Sequence, residues 1–153
     1  GWNELNYNTP RPPDVGKVNQ TMNECEKICA RNNIQFVATI HHADFIQEMA
    51  GMLSGTLFSA TPPSFNVALV NPPYKKISND SPERTALRSI GLETSNLYAA
   101  FVGMLTCLLD SGGQLVAITP RSFCNGPYFR PFREYFLERM SLKRVRLGCG
   151  IIF

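Results

Sequence analysis

The stretch Phe65-Asn66-Val67-Ala68-Leu69-Val70-Asn71-Pro72-Pro73-Tyr74 is an apolar run that ends in two prolines. Residues 65–70 are apolar almost throughout, as is typical of a parallel strand covered on both faces. A proline fixes φ and lacks an N–H, and the residue before it is restricted to extended conformations. The stretch therefore predicts a buried strand that runs directly into a stiff loop with unpaired, outward-pointing carbonyl groups.

The residues before this strand predict a helix, a strand and a second helix. Residues 19–31 carry an apolar stripe at helical spacing and stop at Asn32-Asn33. Residues 34–40 are rich in β-branched and aromatic side chains and predict a strand. Residues 47–53 predict one or two helical turns.

The residues after the loop continue the alternation. Residues 75–92 are polar and predict a long connection with one short helix, and such a length suggests a functional segment. Thr94 or Ser95 is expected to cap a long helix that Gly112-Gly113 ends. Residues 115–119 predict a third buried strand, stopped by Pro120.

Two further elements are predicted near the end of the sequence. Residues 142–147 begin a fourth strand. Residues 128–140 predict an amphipathic helix. The side chains expected to face inward from this helix are Phe132, Phe136, Leu137 and Met140.

Alternating strands and helices indicate a parallel α/β sheet, in which ligands bind beyond the carboxyl ends of the strands. Three clusters of unusual residues follow predicted strands, at residues 41–45, 71–74 and 120–123. Because the ends of parallel strands share one edge of the sheet, we expect these clusters to form the functional site.

The composition is that of one soluble domain: 153 residues, 44% hydrophobic and 18% charged. We expect a cytoplasmic protein, because the sequence has neither an apolar run of about 20 residues nor the order of a signal peptide. Five scattered cysteines favour reduced thiols over disulfides. We expect no metal site, because the adjacent His41 and His42 would point to opposite faces of a strand.

The charge is uneven along the chain. Residues 1–74 hold four Lys/Arg against six Asp/Glu, whereas residues 75–153 hold eleven against six. A basic second half is compatible with a nucleic-acid partner, although solvated faces of mixed charge are common.

The loop at residues 71–74 has the groups needed for methyl transfer to an aromatic amine. The Asn71 side-chain oxygen and the Pro72 carbonyl can accept both hydrogens of a planar amino group, and Tyr74 offers a stacking surface. The lone pair of such an amine is delocalised, so two acceptors placed for the developing tetrahedral nitrogen would stabilise the transition state more than the ground state.

Asn71-Pro72-Pro73-Tyr74 resembles the signature of S-adenosylmethionine-dependent methyltransferases that act on adenine N6. Other segments resemble the adenine-specific methylases of type II restriction–modification systems, including fused restriction–methylation enzymes, and together cover roughly residues 34–147. These segments are Ala43-Asp44-Phe45, Asn96-Leu97-Tyr98 with Phe101, Gly112-Gly113-Gln114-Leu115, Ile118-Thr119-Pro120-Arg121-Ser122-Phe123, and Gly126, Tyr128-Phe129 and Arg133.

The resemblance implies roles for residues 71–74 and for Asp44 and Phe45 before them. Asn71, Pro72, Pro73 and Tyr74 would form the catalytic loop, with the first two binding the target amine and Asn71 also lying at the cofactor. Tyr74 would stack on the adenine. Asp44 would accept a hydrogen bond from the cofactor's adenine amine, with a helix N-cap as the alternative role, and Phe45 would pack beside that ring.

Four further residues have roles that the resemblance leaves open. Glu4 is a candidate for holding the cofactor ribose, with an ordinary surface acid as the alternative. Lys75 and Lys76 are candidates for DNA backbone contact, with solvated lysines as the alternative. Arg121 either contacts phosphate or braces the strand ends.

The family's first strand and glycine-rich turn have no counterpart before Asp44. The expected fold is therefore a partial Rossmann-like S-adenosylmethionine-dependent methyltransferase domain with a mainly parallel sheet. Residues 1–33 would form an irregular segment and a helix, residues 34–147 the α/β core, and no target-recognition domain is expected. We expect negligible cofactor affinity for this chain alone, and an exposed edge strand that invites oligomerisation.

The implied function is site-specific methylation of N6 of a flipped adenine in double-stranded DNA, with S-adenosylmethionine as donor, no metal and no membrane partner. A restriction endonuclease, a specificity subunit or a fused domain would be the partner. Enzymes that methylate a glutamine amide in release factors, or amines in RNA, share the tetrapeptide and remain alternatives. A non-catalytic DNA-binding or assembly module is a third.

Overall fold

The computed structural model of the chain describes residues 15–41, 43–55 and 60–145. The chain divides between Ala43 and Asp44 into two units. The first unit contains α1 (Val15–Arg31), which begins four residues before the predicted helix and ends with it. Asn33 adopts a φ of 56°, a left-handed conformation that asparagine tolerates better than most residues. The predicted helix and its stop are confirmed.

The strand predicted at residues 34–40 is not formed. An extended segment becomes a strand only when a neighbour completes its hydrogen-bond ladder, and β-rich composition alone does not supply one. In the part of the chain that the structure describes, no ladder includes these residues. The cluster at residues 41–45 consequently follows an irregular segment and not a strand end.

The second unit holds the remaining elements. The helices predicted at residues 47–53 and within residues 75–92 and the strand predicted at residues 65–70 are confirmed. In chain order the elements are α2 (Phe45–Leu53), β1 (Phe65–Val70), α3 (Pro82–Ser89), α4 (Leu97–Leu108), β2 (Leu109–Ala117), α5 (Ser122–Asn125), a 3₁₀ helix (Pro127–Phe129) and α6 (Arg130–Arg139).

β1 and β2 pair in parallel, with Val70 opposite Ala117, so the predicted parallel sheet is present as two strands among the described residues. Alternate residues of a strand face opposite sides of its sheet. Ala68 is buried under the helical layer, whereas Leu69 is 81% and Val67 56% exposed. The expectation that helices cover both faces of β1 is therefore wrong for the described chain.

α4 is the central helix of this unit. It packs against β1, β2, α2 and α6, and it is apolar on nearly all sides, as expected of a helix enclosed by its neighbours. Its end differs from the prediction, because the chain passes at Leu109 from helix to strand without a loop. Gly112-Gly113 consequently lies inside β2, where Gly112 has a φ of 81° beside an irregularity in the β1–β2 register.

α6 supplies the aromatic part of the core. Phe132 and Phe136 are buried as predicted, whereas Leu137 is 56% exposed. Leu137 follows Phe136 directly, so a helical rotation of about 100° carries its side chain away from the core. After α6, residues 141–145 form no strand, and the rest of the strand predicted at residues 142–147 lies outside the described residues.

Bilayer-spanning dimensions are not reached in this fold: none of the helices formed by the described residues is both long and apolar enough to cross a membrane.

Candidate active site

The carboxyl ends of β1 and β2 lie side by side. The Ile118 N–H donates to the Val70 carbonyl at 3.0 Å, extending the pairing one step past the end of β2. The loop at residues 71–74 and the segment that begins at Ile118 therefore leave the sheet at the same edge. Two of the three predicted clusters are brought together, as expected from the rule for parallel sheets.

The loop that follows β1 has one buried and three exposed residues. Pro72 is buried, whereas Asn71, Pro73 and Tyr74 are exposed. The Tyr74 hydroxyl donates to the Ile118 carbonyl at 3.0 Å and lies 3.4 Å from Asn71 Oδ1. Its hydroxyl is thus tied to the neighbouring strand end while its ring remains 56% exposed.

A short backbone pairing joins this loop to the start of α4. Lys76 and Asn96 form an isolated antiparallel bridge. The Leu97 N–H donates to the Lys75 carbonyl at 2.8 Å, and the Ile77 N–H donates to the Ser95 carbonyl at 2.7 Å. Segments 71–74 and 96–98, which lie more than 20 positions apart in the chain, are therefore neighbours in the structure.

The same pairing explains why the predicted cap of α4 is wrong. The N-cap is Asn96, and its side chain makes no capping hydrogen bond. The first turn of a helix has unpaired N–H groups that need acceptors. Because the Lys75 carbonyl accepts from Leu97 N, one of these groups is satisfied without Thr94 or Ser95.

Tyr98 lies beneath the exposed ring of Tyr74. The two rings meet edge to face, with centroids 6.2 Å apart and an interplanar angle of 86°. Tyr98 is 3% exposed, and its hydroxyl has no hydrogen-bond partner of ordinary geometry among the described residues. Burial raises the pKa of Tyr98 to about 12, and the nearby Ser122 side chain offsets only part of that rise. Tyr98 therefore stays neutral and supports the Tyr74 ring from below.

The segment after β2 forms the other side of this edge. Arg121 is exposed just before α5, and its side chain makes no capping hydrogen bond. Arg133 reaches back from α6, and its Nη1 donates to the carbonyls of Phe123 at 3.0 Å and Gly126 at 2.8 Å. Arg133 thus braces this segment, whereas the choice between phosphate contact and bracing for Arg121 stays a prediction.

Asp44 is the N-cap of α2, and its Oδ1 accepts from the Gln47 N–H at 3.1 Å. The capping alternative is therefore present in the structure. Phe45, the next residue, stacks on Phe101 of α4 with centroids 4.9 Å apart and an interplanar angle of 24°. An exposed carboxylate with one capping bond thus lies beside an aromatic pair, and a role in cofactor binding stays a prediction for Asp44 and Phe45.

The remaining predicted residues are placed as follows. Lys75 and Lys76 directly follow the loop at residues 71–74, and both are exposed. Glu4 lies outside the described residues. Within residues 15–41, 43–55 and 60–145, no group of three or more His, Cys, Asp or Glu is placed to hold a metal ion.

Several contributors to the site have no role in the sequence prediction. Tyr128 hydrogen-bonds to the Ser95 side chain, and Phe129 contacts Tyr98 with centroids 5.5 Å apart. Arg84 of α3 is buried and forms an ion pair with Glu93. Glu93 lies just before residues 95–97, which pair with residues 75–77 after the loop. The adjacent aromatic residues Tyr128 and Phe129 are a pattern from which a role in the site could have been predicted. The ion pair of Arg84 with Glu93, nine positions away, could not have been predicted from the sequence.

A separate cavity of about 780 Å³ lies on another side of the unit. β2, the end of α6 and residues 141–144 line it, and residues 71–74 do not. The candidate site residues 71–74 described above lie instead at the carboxyl end of β1.

Comparison with known proteins shows which family this sequence resembles. The family model of the Eco57I restriction-modification methylase matches residues 12–147. The chain is 42% identical over 128 residues to the Type II methyltransferase M.PstI of Providencia stuartii, covering 84% of this chain and 25% of that protein. It is 47% identical over 106 residues to the Type II methyltransferase M.BsuBI of Bacillus subtilis, covering 68% of this chain and 21% of that protein.

No solved structure matches the chain. The chain spans about a quarter of the length of the curated relatives that it matches. Since the family match extends over most of the sequence and includes every element of the site just described, the chain belongs to the Eco57I restriction-modification methylase family.

Proposed function

We propose that this chain forms the target-base side of the catalytic domain of a DNA methyltransferase in a restriction–modification system. The proposed reaction transfers a methyl group from S-adenosylmethionine to N6 of adenine. The observation that carries the proposal is the loop of Asn71, Pro72, Pro73 and Tyr74 at the end of β1, with its tyrosine ring exposed and its hydroxyl held by Ile118.

Asn71 and Pro72 supply the acceptors. An amide oxygen and a backbone carbonyl that accept the two N–H groups of the target amine favour a tetrahedral nitrogen with a localised lone pair. Asn71 Oδ1 lies 3.4 Å from the Tyr74 hydroxyl, which donates over a shorter distance to Ile118. The amide oxygen therefore keeps acceptor capacity for a substrate.

Tyr74 supplies the platform for the base. An adenine inside a duplex is inaccessible to this loop, so the target must leave the stack and be held by an aromatic surface. The hydroxyl bond to Ile118 and the edge-to-face contact with Tyr98 fix the ring orientation before the substrate arrives. A platform fixed in advance lowers the ordering entropy lost on binding.

The donor side of the site has residues that suit an adenine-containing cofactor. S-adenosylmethionine supplies an electrophilic methyl group when bound. Asp44 presents an exposed carboxylate, of which Oδ1 caps α2, and Phe45 presents an aromatic surface backed by Phe101. A carboxylate beside an aromatic ring suits an exocyclic amine beside a purine, so the residues present fit this group.

DNA as the substrate is supported by the relatives and by charge. Both relatives are Type II methyltransferases, and the matching family is one of restriction–modification methylases. Lys76 follows the loop and Arg121 follows β2, and both side chains are exposed. Exposed cations of this kind suit phosphate contacts, which position a protein on DNA without reading sequence. A protein substrate such as a release factor would not require these cations.

The test uses the full-length protein that carries this chain. The protein is incubated with isotopically labelled S-adenosylmethionine and unmethylated DNA, and the DNA is digested to nucleosides for mass spectrometry. The expected product is labelled N6-methyladenine. Label on cytosine would contradict the adenine assignment, and label on a release factor or RNA with none on DNA would contradict the proposed substrate.

A further inference from the structure

Four aromatic rings form a continuous row from the catalytic loop to the surface of the 120–129 segment. Tyr74 contacts Tyr98 at 6.2 Å, Tyr98 contacts Phe129 at 5.5 Å, and Phe129 contacts Tyr128 at 5.4 Å between ring centroids. The two middle rings are buried. The two end rings are exposed, Tyr74 by 56% and Tyr128 by 63%.

The two end rings share a second property, because each is held by its hydroxyl. Tyr74 donates to the Ile118 carbonyl, and Tyr128 hydrogen-bonds to the Ser95 side chain. A tyrosine that only fills the core would bury its ring and turn its hydroxyl towards solvent. At both ends of the row the hydroxyl is engaged and the ring is left open.

The anchor of Tyr128 lies on a segment that pairs through its backbone with the residues around Lys76. Ser95 precedes Asn96, and Asn96 forms the antiparallel bridge with Lys76. Ser95 also accepts from Ile77, the residue after Lys76, through its backbone carbonyl. Lys76 and Tyr128, both exposed, are thus each bonded to the dipeptide Ser95-Asn96. A segment with a lysine and an exposed aromatic ring suits a phosphate followed by a base.

We propose that Tyr128 is a second base-stacking residue that contacts a nucleotide flanking the target adenine. The inference rests on the proposed function, since it assumes that Tyr74 receives the flipped base. With Tyr74 occupied by the target, Tyr128 is the other exposed ring of the row. A base that loses its stacking neighbour through flipping gains a new stacking surface on Tyr128.

The first experiment measures the affinity of the full-length protein for DNA by fluorescence anisotropy. Tyr128→Ala is expected to weaken binding about 5- to 100-fold, the range for loss of one base–aromatic stack. Tyr128→Phe, which keeps the ring and loses only the bond to Ser95, is expected to restore most of the affinity. Leu137→Ala is the control, because Leu137 is also a large exposed apolar residue but lies on α6 outside the row.

The second experiment asks whether Tyr128 and a flanking base act on each other. After the methylated adenine is mapped, DNA with an abasic nucleotide on either side of it is bound to wild type and Tyr128→Ala. If Tyr128 stacks on one of these bases, the two changes are non-additive on that side, and the loss caused by Tyr128→Ala shrinks at least threefold.

The outcomes separate this inference from the proposed function. If the wild type methylates DNA but Tyr128→Ala binds as tightly as Leu137→Ala, or if both abasic substrates give additive effects, the inference is overturned alone. Equal losses for Tyr128→Phe and Tyr128→Ala also overturn it, because the hydroxyl and not the ring would then matter. A wild-type protein that neither binds nor methylates DNA overturns the proposed function with it.

Discussion

The hydroxyl of Tyr74 donates a hydrogen bond to the backbone carbonyl of Ile118 at 3.0 Å. This bond spans the carboxyl ends of the two parallel strands and fixes a ring that is otherwise more than half exposed. The two parts of the side chain therefore differ in what they contact: the hydroxyl orients the ring by bonding to Ile118, and the ring presents an exposed aromatic surface. The two parts can be separated by substitution.

Tyr74→Phe keeps the ring and removes the bond to Ile118. We expect the free energy of unfolding to fall by at most about 1.5 kcal/mol, the upper end for one intramolecular hydrogen bond. The methylation rate should fall a few-fold, because the ring is less firmly oriented. Tyr74→Ala removes the stacking surface as well and is expected to lower kcat/KM by a further factor of roughly 5 to 100. Equal rates for the two variants would show that the ring has no role.

Asp44 has an observed capping role and a predicted cofactor role, and Asp44→Ser distinguishes them. Serine caps helices about as well as aspartate, so the free energy of unfolding should change by less than about 0.5 kcal/mol. The carboxylate is lost, so we expect affinity for S-adenosylmethionine to fall about tenfold in calorimetry of the full-length protein. Asp44→Ala should lose both, with roughly 1 kcal/mol of stability. Unchanged affinity in Asp44→Ser would limit Asp44 to capping.

Gly103 lies in the middle of α4 against the side chain of Leu92. A Cβ at this position would lie 2.7 Å and 2.9 Å from the two Leu92 methyl carbons, and Leu92 is fully buried. We expect Gly103→Ala to destabilise the chain by about 1–3 kcal/mol in denaturant unfolding, because overpacking outweighs the better helix propensity of alanine.

Gly51 in α2 is the matched control for this substitution. Apart from its chain neighbours and the backbone of α2 itself, no atom among the described residues lies within 4 Å of a Cβ built there. Gly51→Ala should therefore leave stability unchanged or raise it by up to about 1 kcal/mol. If Gly103→Ala were as stable as Gly51→Ala, Leu92 would be able to move away from the added methyl group, and the expected overpacking would be refuted.

The buried hydroxyl of Tyr98 predicts a pH dependence. Because burial raises its pKa to about 12 from an unfolded value of 10.0, the unfolded state loses its phenolic proton first. The free energy of unfolding should therefore be unaffected by this group below pH 10 and should fall as the pH rises from 10 towards 12.

Tyr98→Phe isolates this contribution from that of other alkaline groups. The variant should be about as stable as the wild type at neutral pH, because the buried hydroxyl has no hydrogen-bond partner of ordinary geometry among the described residues. Its unfolding free energy should fall less steeply between pH 10 and 12. Parallel curves for the two proteins would show that this hydroxyl titrates alike in the folded and unfolded states.

Local patterns predicted the elements whose stabilising contacts are local or periodic. β1 was readable because residues 65–70 are apolar and end at two prolines, and α4 was readable from its repeating apolar positions. Residues 34–40 have a similar β-rich pattern and form no strand, because a ladder partner is a property of the fold and not of the segment. Leu137 fits an apolar stripe, yet the position of Phe136 decides which way it points.

For the candidate site, the stiff loop at residues 71–74 and its place at the strand ends were predictable, and the contacts that support the loop were not. The pairing of Lys76 with Asn96 bridges twenty positions, and the bonds from Arg133 to Phe123 and Gly126 use backbone carbonyls. Backbone acceptors leave no mark on residue identity. The hydroxyl anchors of Tyr74 and Tyr128 were equally invisible, since a tyrosine in a loop is compatible with many partners.

The central claim is that Asn71 accepts from the target amine during methyl transfer. The most direct measurement compares kcat of Asn71→Ala with kcat of Asn66→Ala in the full-length protein. The rate of N6-methyladenine formation at saturating substrate is followed by mass spectrometry. Asn66 is an exposed asparagine of β1 and so is a matched control. Loss of a positioned acceptor predicts a 10²- to 10³-fold lower kcat for Asn71→Ala, with Asn66→Ala close to wild type. A kcat for Asn71→Ala within threefold of the control would contradict the claim.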